Sequence, residues 1–173
     1  PLENKKLDLI FNTIEERVKH LSQFIEGYAR FAKLPLPRLE LVNWQLFIQT
    51  LQQQVEFSWD GKLPTAQSHL DISQLHQVVL NLLKNAHESG SKTDDITLRL
   101  RTLNNGLQLD VLDCGCGMSD DVLKNALLPF YSTKTTGSGI GLPLCREIIE
   151  AHDGFLNLVN RKNGGLKVAI WLP

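Results

Sequence analysis

Two asparagines, Asn81 and Asn85, stand four positions apart in a stretch whose apolar residues recur with helical spacing. Residues four apart lie one above the other on a helix face. Asparagine is a poor residue inside a helix, because its amide competes for backbone partners. Its carbonyl oxygen is a hard, neutral ligand of the kind Mg2+ takes together with water and phosphate. The pair alone reads more simply as two solvated polar side chains.

A second segment, Asp113-Cys114-Gly115-Cys116-Gly117, follows an alternating apolar run. A carboxylate at a strand end accepts a hydrogen bond from an exocyclic amine, and the glycines let the backbone approach a flat ring. Adenine offers that amine. Guanine would turn a carbonyl oxygen toward the carboxylate, so the site would prefer ATP to GTP. By itself the segment is also a plain Asp/Gly turn. A third segment, Gly137-Ser138-Gly139-Ile140-Gly141-Leu142-Pro143, opens an apolar helix. Exposed backbone N–H groups and the positive end of a helix cradle phosphate, and Pro143 fits a first turn that does not need its N–H. The segment is not a P-loop, since no Gly-Lys-Ser/Thr follows, and not a dinucleotide fingerprint, since a polar loop precedes it. Between these two lie Pro129-Phe130-Tyr131-Ser132-Thr133-Lys134-Thr135-Thr136, an aromatic anchor with a small, polar tip. It reads as a lid, with Lys134 either reaching a terminal phosphate or solvated.

These residues need elements to position them. Asp71 with Gln74 is a capping pair opening a helix to about Glu88, with Ile72, Leu75, Val78, Val79, Leu82, Leu83 and Ala86 as its buried face. Residues 39–42, 55–59 and 69–70 read as short strands, with Asp60-Gly61 as a turn and Asn43 capping a helix to about Gln54. Residues 96–103 and 107–112 flank Asn104-Asn105-Gly106 as a hairpin. A long polar stretch runs to Gly141, a helix covers 142–151, and strands over 155–160 and 167–172 close the chain. Upstream, Leu7, Ile10, Ile14, Val18, Leu21, Ile25, Tyr28 and Ala32 recur at steps of three and four, with Lys5, Asp8, Glu15, Lys19 and Gln23 between them. A helix of about 30 residues would run about 45 Å and cannot bury that stripe alone, so it must face another helix or a second copy. The consecutive four-residue steps through Ile10, Ile14 and Val18 mark a stutter in the heptad. Leu34-Pro35-Leu36-Pro37 ends the helix in an extended elbow. The domain reading is a helix over 1–34, a linker over 35–38 and a mixed α/β unit over 39–173.

Hydrophobic residues at 42% and charged residues at 21% fit a globular chain. With a net charge of −1, nothing argues for a nucleic-acid footprint or a polybasic membrane patch. No apolar run reaches the roughly 18 residues of a membrane helix, and no leader pattern is visible. Cys114, Cys116 and Cys145, an odd number with no secretory pattern, read as reduced, cytoplasmic thiols, and no His or Cys pair follows at zinc spacing.

The order of the pieces resembles the histidine-kinase branch of the Bergerat ATP-binding fold, over roughly residues 39 to 173. Residues 81–86 (Asn-Leu-Leu-Lys-Asn-Ala) resemble its N box, 113–117 its G1 box, 129–134 its F box and 137–142 its G2 box. Gly164-Gly165 before a last strand and the ending Trp171-Leu172-Pro173 resemble it too. The resemblance implies a two-layer α/β sandwich, a mixed sheet covered on one face by three helices, with ATP and Mg2+ between helices and lid. It implies that Asn85 ligates Mg2+, that Asn81 supports metal and phosphates, and that Lys134 completes the catalytic set. Asp113 would read adenine beside Gly115, Gly117 and Met118. Lys84, Phe130 and Thr133 would add contacts, and Gly137, Ser138, Gly139, Ile140, Gly141 and Leu142 would hold phosphate.

Gyrase and heat-shock ATPases look alike in these boxes, but they hydrolyse ATP with a glutamate four residues before the metal asparagine, a general base. Here that position is Asn81, whose amide cannot take a proton near neutral pH. Glu88 lies on the wrong side of the motif for that role. The nucleophile is then an imidazole from elsewhere. Of His20, His69, His76, His87 and His152, none stands in a His-Glu/Asp box followed closely by proline; His87 reads as exposed. Residues 17–37 resemble the second helix of a kinase dimerisation hairpin, so the acceptor is expected upstream of Pro1 and this stretch should not phosphorylate itself. The resemblance further implies a response-regulator receiver domain as partner, homodimerisation through the hairpin, and a cytoplasmic stretch without membrane contact in a protein whose full-length relatives are often anchored in the inner membrane. A gyrase-type ATPase and a non-catalytic nucleotide-binding module are the alternatives.

Overall fold

The computed structural model describes residues 7, 10–15, 17, 18, 21, 22, 25, 29, 34–64, 68–134 and 137–173. The described residues between 7 and 29 are helical, and Leu7, Ile10, Ile14, Val18, Leu21 and Ile25 are about half exposed or more. The readings for Lys5, Asp8, Lys19, His20, Gln23, Tyr28, Ala32, Thr135 and Thr136 lie outside the described residues. Among those described, no helix is long and apolar enough to cross a membrane.

From residue 34 onward the order is β1 (Glu40–Leu41), α1 (Trp44–Gln52), β2 (Ser58–Gly61), β3 (His69–Leu70), α2 (Ile72–Glu88), a 3-10 turn (Thr93–Asp95), β4 (Thr97–Leu103), β5 (Gly106–Leu112), α3 (Asp120–Asn125), α4 (Gly141–Ala151), β6 (Phe155–Asn160) and β7 (Leu166–Leu172). The main sheet runs β2-β4-β5-β7-β6, and β1 pairs with β3 apart from it. Only β2 on β4 is parallel. Strict alternation sends Leu98, Leu100, Leu107, Leu109, Val111, Val168 and Ile170 to one face of the sheet. There they meet Leu75, Val78, Val79, Leu82 and Leu83 of α2 and Ile148 and Ile149 of α4 in one core. Each CH2 buried there is worth about 0.8 kcal/mol. The fold class is therefore the expected one: a mixed sheet with its helices packed against it.

Local signals placed most elements. The Asn43 side chain accepts from the Leu46 N–H at 3.0 Å and starts α1. Asp71 accepts from the Gln74 N–H at 2.9 Å and starts α2. The reciprocal half of the capping box does not form. Gln74 Nε2 donates to the Pro35 carbonyl at 2.9 Å, and the Asp71 N–H donates to His152 Nε2 at 3.0 Å. His152 Nδ1 sits 2.7 Å from the Ile148 carbonyl, so this buried imidazole is the Nδ1–H tautomer. With Arg38 N–H on Asp71 Oδ2 at 2.9 Å, the elbow, the start of α2 and the end of α4 share one junction.

Three expectations need correction. Asp60-Gly61 is strand, not turn: it ends β2, and Asp60 meets Arg99 of β4 at 2.7 Å. Pairing with a strand 39 residues away outweighs local turn preference. The polar stretch before Gly141 contains α3, capped by Ser119 onto the Val122 N–H at 3.3 Å. His87 is half-buried, with Nε2 2.8 Å from the Glu56 carbonyl, so it packs toward the start of β2.

Candidate functional site

One cavity of about 590 Å³ opens between α2, the end of β5, β7, residues 131–134 and 137–139, and the start of α4. That volume is ordinary for one small-molecule ligand. Leu82 and Ala86 of α2, Val111 of β5, and Leu166 and Val168 of β7 give it an apolar floor.

Asp113 is 4% exposed, just past the end of β5. Its Oδ1 accepts from the Gly115 N–H at 2.8 Å and the Leu166 N–H at 3.1 Å. Ser89 Oγ lies 3.3 Å from the same oxygen, but its proton is better placed on the Ala86 carbonyl at 2.7 Å. Among the described residues no donor reaches Oδ2. That oxygen is left as an acceptor for a ligand's donor at the cavity that Asp113 lines. Gly165 lets β7 lie this close: a Cβ there would stand 2.0 Å from the Asp113 carbonyl. Arg161 Nη1 donates to the same carbonyl.

Asn81 and Asn85 both line the cavity. Asn81 Nδ2 donates to Cys145 Sγ at 3.3 Å, while the Cys145 thiol points to the Val78 carbonyl at 3.8 Å. Burial pushes that thiol up to about 12, against the opposing Asn81 hydrogen bond, so it stays protonated. Asn81 packs on the first turn of α4: a Cβ on Gly141 would lie 3.0 Å from its Oδ1. The amide thus sits where the backbone N–H groups of a helix N-terminus are unpaired. Asn85 Oδ1 accepts from Lys134 Nζ at 3.1 Å, and Lys134 also pairs with Glu88. The lid lysine is therefore drawn across the cavity to α2.

The lid base is fixed by backbone. The Phe130 N–H donates to the Gly139 carbonyl at 2.9 Å. Gly139 adopts φ 66°, and a Cβ there would stand 2.5 Å from the Phe130 carbonyl carbon, so only glycine closes this contact. Opposite, Asn160 grips Met118 from both sides: Oδ1 accepts from its N–H at 2.9 Å and Nδ2 donates to its carbonyl at 2.6 Å.

Of the residues singled out from sequence, Asn81, Asn85, Asp113, Gly117, Met118, Thr133, Lys134, Gly137, Ser138, Gly139, Gly141 and Leu142 all line this cavity. Four others do not. Lys84 is exposed on α2, Ile140 is buried in the core, and Gly115 packs against Ser89. Phe130 contributes its backbone to the Gly139 contact. Sequence reasoning missed Ser89 and the β7 floor, named Tyr131 only as part of the lid, and weighed Glu88 only as a base for water. Ser89 carried one signal, its place beside Gly90 at a helix end; the β7 residues carried none beyond alternation.

The family model described as histidine kinase-, DNA gyrase B- and HSP90-like ATPase matches residues 70–173. The chain is 27% identical over 177 residues to the NtrY-like sensor histidine kinase of Rickettsia bellii, covering 97% of this chain and 29% of that protein. It is 38% identical over 118 residues to the C4-dicarboxylate transport sensor protein DctS of Rhodobacter capsulatus, covering 66% of this chain and 18% of that one. The chain thus spans less than a third of these curated relatives. The catalytic domain of histidine kinase ThkA superposes with TM-score 0.70 at 23% identity, covering 79% of this chain and 95% of that chain. ThkA in complex with response regulator protein TrrA superposes at 0.76 and 20% identity, covering 94% and 49%. The chain belongs to the histidine kinase-, DNA gyrase B- and HSP90-like ATPase family, and its fold is that of histidine kinase catalytic domains.

Proposed function

We propose that this chain is the ATP-binding catalytic domain of a two-component sensor histidine kinase, which passes the γ-phosphoryl of ATP to a histidine on a helix hairpin. The observation that carries the reading is Asn81, a neutral amide one turn before Asn85 and against the first turn of α4. A hydrolase of this family would use a carboxylate there to activate water. The cavity can hold and polarise a triphosphate but has no base of its own at that position, so an outside imidazole is the fitting nucleophile.

The residues divide the work by chemistry. Asp113 Oδ2 accepts the adenine amine, with Gly117 and Met118 beside the ring. The amides of Gly139 and Gly141 and the start of α4 receive phosphate. Lys134 leaves Asn85 and Glu88 to meet the terminal phosphate, which frees Asn85 Oδ1 to ligate Mg2+. Mg2+, held by Asn85 Oδ1, would supply positive charge against the phosphates when bound. The receiver domain of a response regulator takes the phosphoryl group onward, a reading supported by the kinase relatives and by the ThkA–TrrA complex. The exposed stripe between residues 7 and 25 serves a homodimer through the hairpin, with 35–38 as the linker and a cytoplasmic setting for the whole.

Titration with a fluorescent adenine nucleotide, with and without Mg2+, tests the site: binding is expected, and none up to millimolar would end the reading. Adding a histidine-bearing hairpin in trans should yield acid-labile phosphate. Robust multiple-turnover phosphate release by the chain alone would favour the gyrase-type ATPase instead.

A further inference from the structure

Three polar side chains of α2 line the cavity at steps of four and three: Asn81, Asn85 and Glu88, the last residue of the helix. Lys134 Nζ donates to two of them, to Asn85 Oδ1 at 3.1 Å and to the Glu88 carboxylate. The Lys134 backbone has partners inside the lid. Its N–H donates to Ser132 Oγ at 3.1 Å, and its carbonyl accepts from the Gly137 N–H at 3.2 Å. Among the described residues, 131–134 hydrogen-bond to α2 through the Lys134 side chain alone. One ammonium group therefore ties the lid to the helix that carries both asparagines. The two ties are unequal. Asn85 offers a neutral carbonyl, whereas Glu88 offers a full negative charge, and a bond between two ions is the stronger kind. That charge also opposes an incoming phosphate chain.

We propose that Glu88 is a positioning residue that latches Lys134 onto α2 until a terminal phosphate draws the ammonium away. While the latch is shut, the ammonium occupies Asn85 Oδ1, the oxygen assigned above to Mg2+. Only an anion placed near Nζ exchanges for the Glu88 carboxylate. A triphosphate chain reaches that far. Adenosine monophosphate, with its single phosphate next to the ribose, leaves the latch shut. The side chains of Lys134 and Glu88 are 43% and 58% exposed, so solvent screens the pair and its effect is a few-fold one. The response to phosphate rests on the nucleotide-site reading above; the tie between Glu88 and the lid does not.

The test compares the full chain with its Glu88→Gln variant, which keeps the shape and removes the charge. Trypsin cuts after a lysine only when the ammonium enters the protease's own pocket. Without nucleotide, cleavage after Lys134, relative to cleavage after exposed Lys162 in the β6–β7 turn, should be about two- to fivefold faster in Glu88→Gln. The same variant should bind a non-hydrolysable ATP analogue with Mg2+ about two- to fivefold more tightly, and AMP as before. The gain should shrink in high salt and vanish when Glu88→Gln is made in a Lys134→Met background. A cleavage ratio unchanged by Glu88→Gln, a triphosphate affinity unchanged or lowered, or an equal gain in the Lys134→Met background, which is simple charge repulsion, would each overturn the latch. If the unaltered chain binds no nucleotide, the kinase reading fails, and the tryptic ratio decides the latch by itself.

Discussion

Asp110 and Asp113 are three residues apart, both are buried, and they face opposite sides of the sheet with opposite consequences. Asp110 points to the outer face. Its Oδ2 meets Arg101 at 2.7 Å and Lys167 at 3.3 Å, and its Oδ1 accepts from Gln108 at 2.9 Å. Every part of that carboxylate is answered within β4, β5 and β7. Asp113 faces the cavity with its protein donors gathered on Oδ1. Burial alone therefore does not mark a site. The distinction lies in whether the chain itself satisfies each oxygen.

The comparison can be broken in four ways, from the largest expected effect to the smallest. Asp113→Asn keeps shape but puts an amide where the adenine amine needs an acceptor. Nucleotide affinity should fall by about 1–3 kcal/mol, roughly 5- to 150-fold, by fluorescence titration, with the preference for adenine over guanine lost. A change of less than twofold would remove Asp113 from the site. Asp110→Ala should do the reverse. It frees two partly exposed cations and costs about 1–2 kcal/mol in urea unfolding, with nucleotide affinity nearly unchanged. If affinity drops as much as for Asp113→Asn, the two faces are not independent. Gly141→Ala brings a methyl within 3.0–3.1 Å of the Asn81 amide, which must shift. About 1 kcal/mol of nucleotide affinity should go with it, measured against unchanged helicity.

The smallest effect concerns acid. Burial pushes the Asp71 carboxyl up, but the N–H groups of Arg38, Gln74 and Ser73 together hold it below the ordinary aspartate value of 3.8. A depressed carboxyl contributes stability that is whole above its unfolded value and is lost as pH falls through the folded one. Burial lowers His76 from 6.5, so its contribution is likewise present above that value and lost as pH falls below it. Urea midpoints should decline in acid in two steps, one below about pH 6.5 and one below about pH 4. Asp71→Asn should flatten only the second. Persistence of both steps in that variant would show that the elbow junction carries no linkage.

The helix and most strands were legible because their signals are local. Asp71 ahead of an apolar 3-4 stripe predicts α2, and strict alternation predicts β4, β5 and β7. The same locality misled at Asp60-Gly61, where a partner strand far along the chain decides, and it overlooked α3 behind an ordinary Ser119 cap. Box spacing singled out most cavity residues but took Ile140 and Lys84 along with them, since neighbours in sequence point in different directions on a turn.

What the amino-acid order determined by itself was the repertoire: which segments are helix or strand, and which polar residues stand where packing does not need them. What the tertiary structure decided was the pairing of those polar groups. His152 answers Asp71 across 81 residues, Leu166 answers one oxygen of Asp113 across 53, and Lys134 reaches Asn85 across 49. A hydrogen-bond donor or acceptor is indifferent to where in the chain its partner comes from. Only the folded arrangement divides the groups already satisfied from those turned toward a ligand.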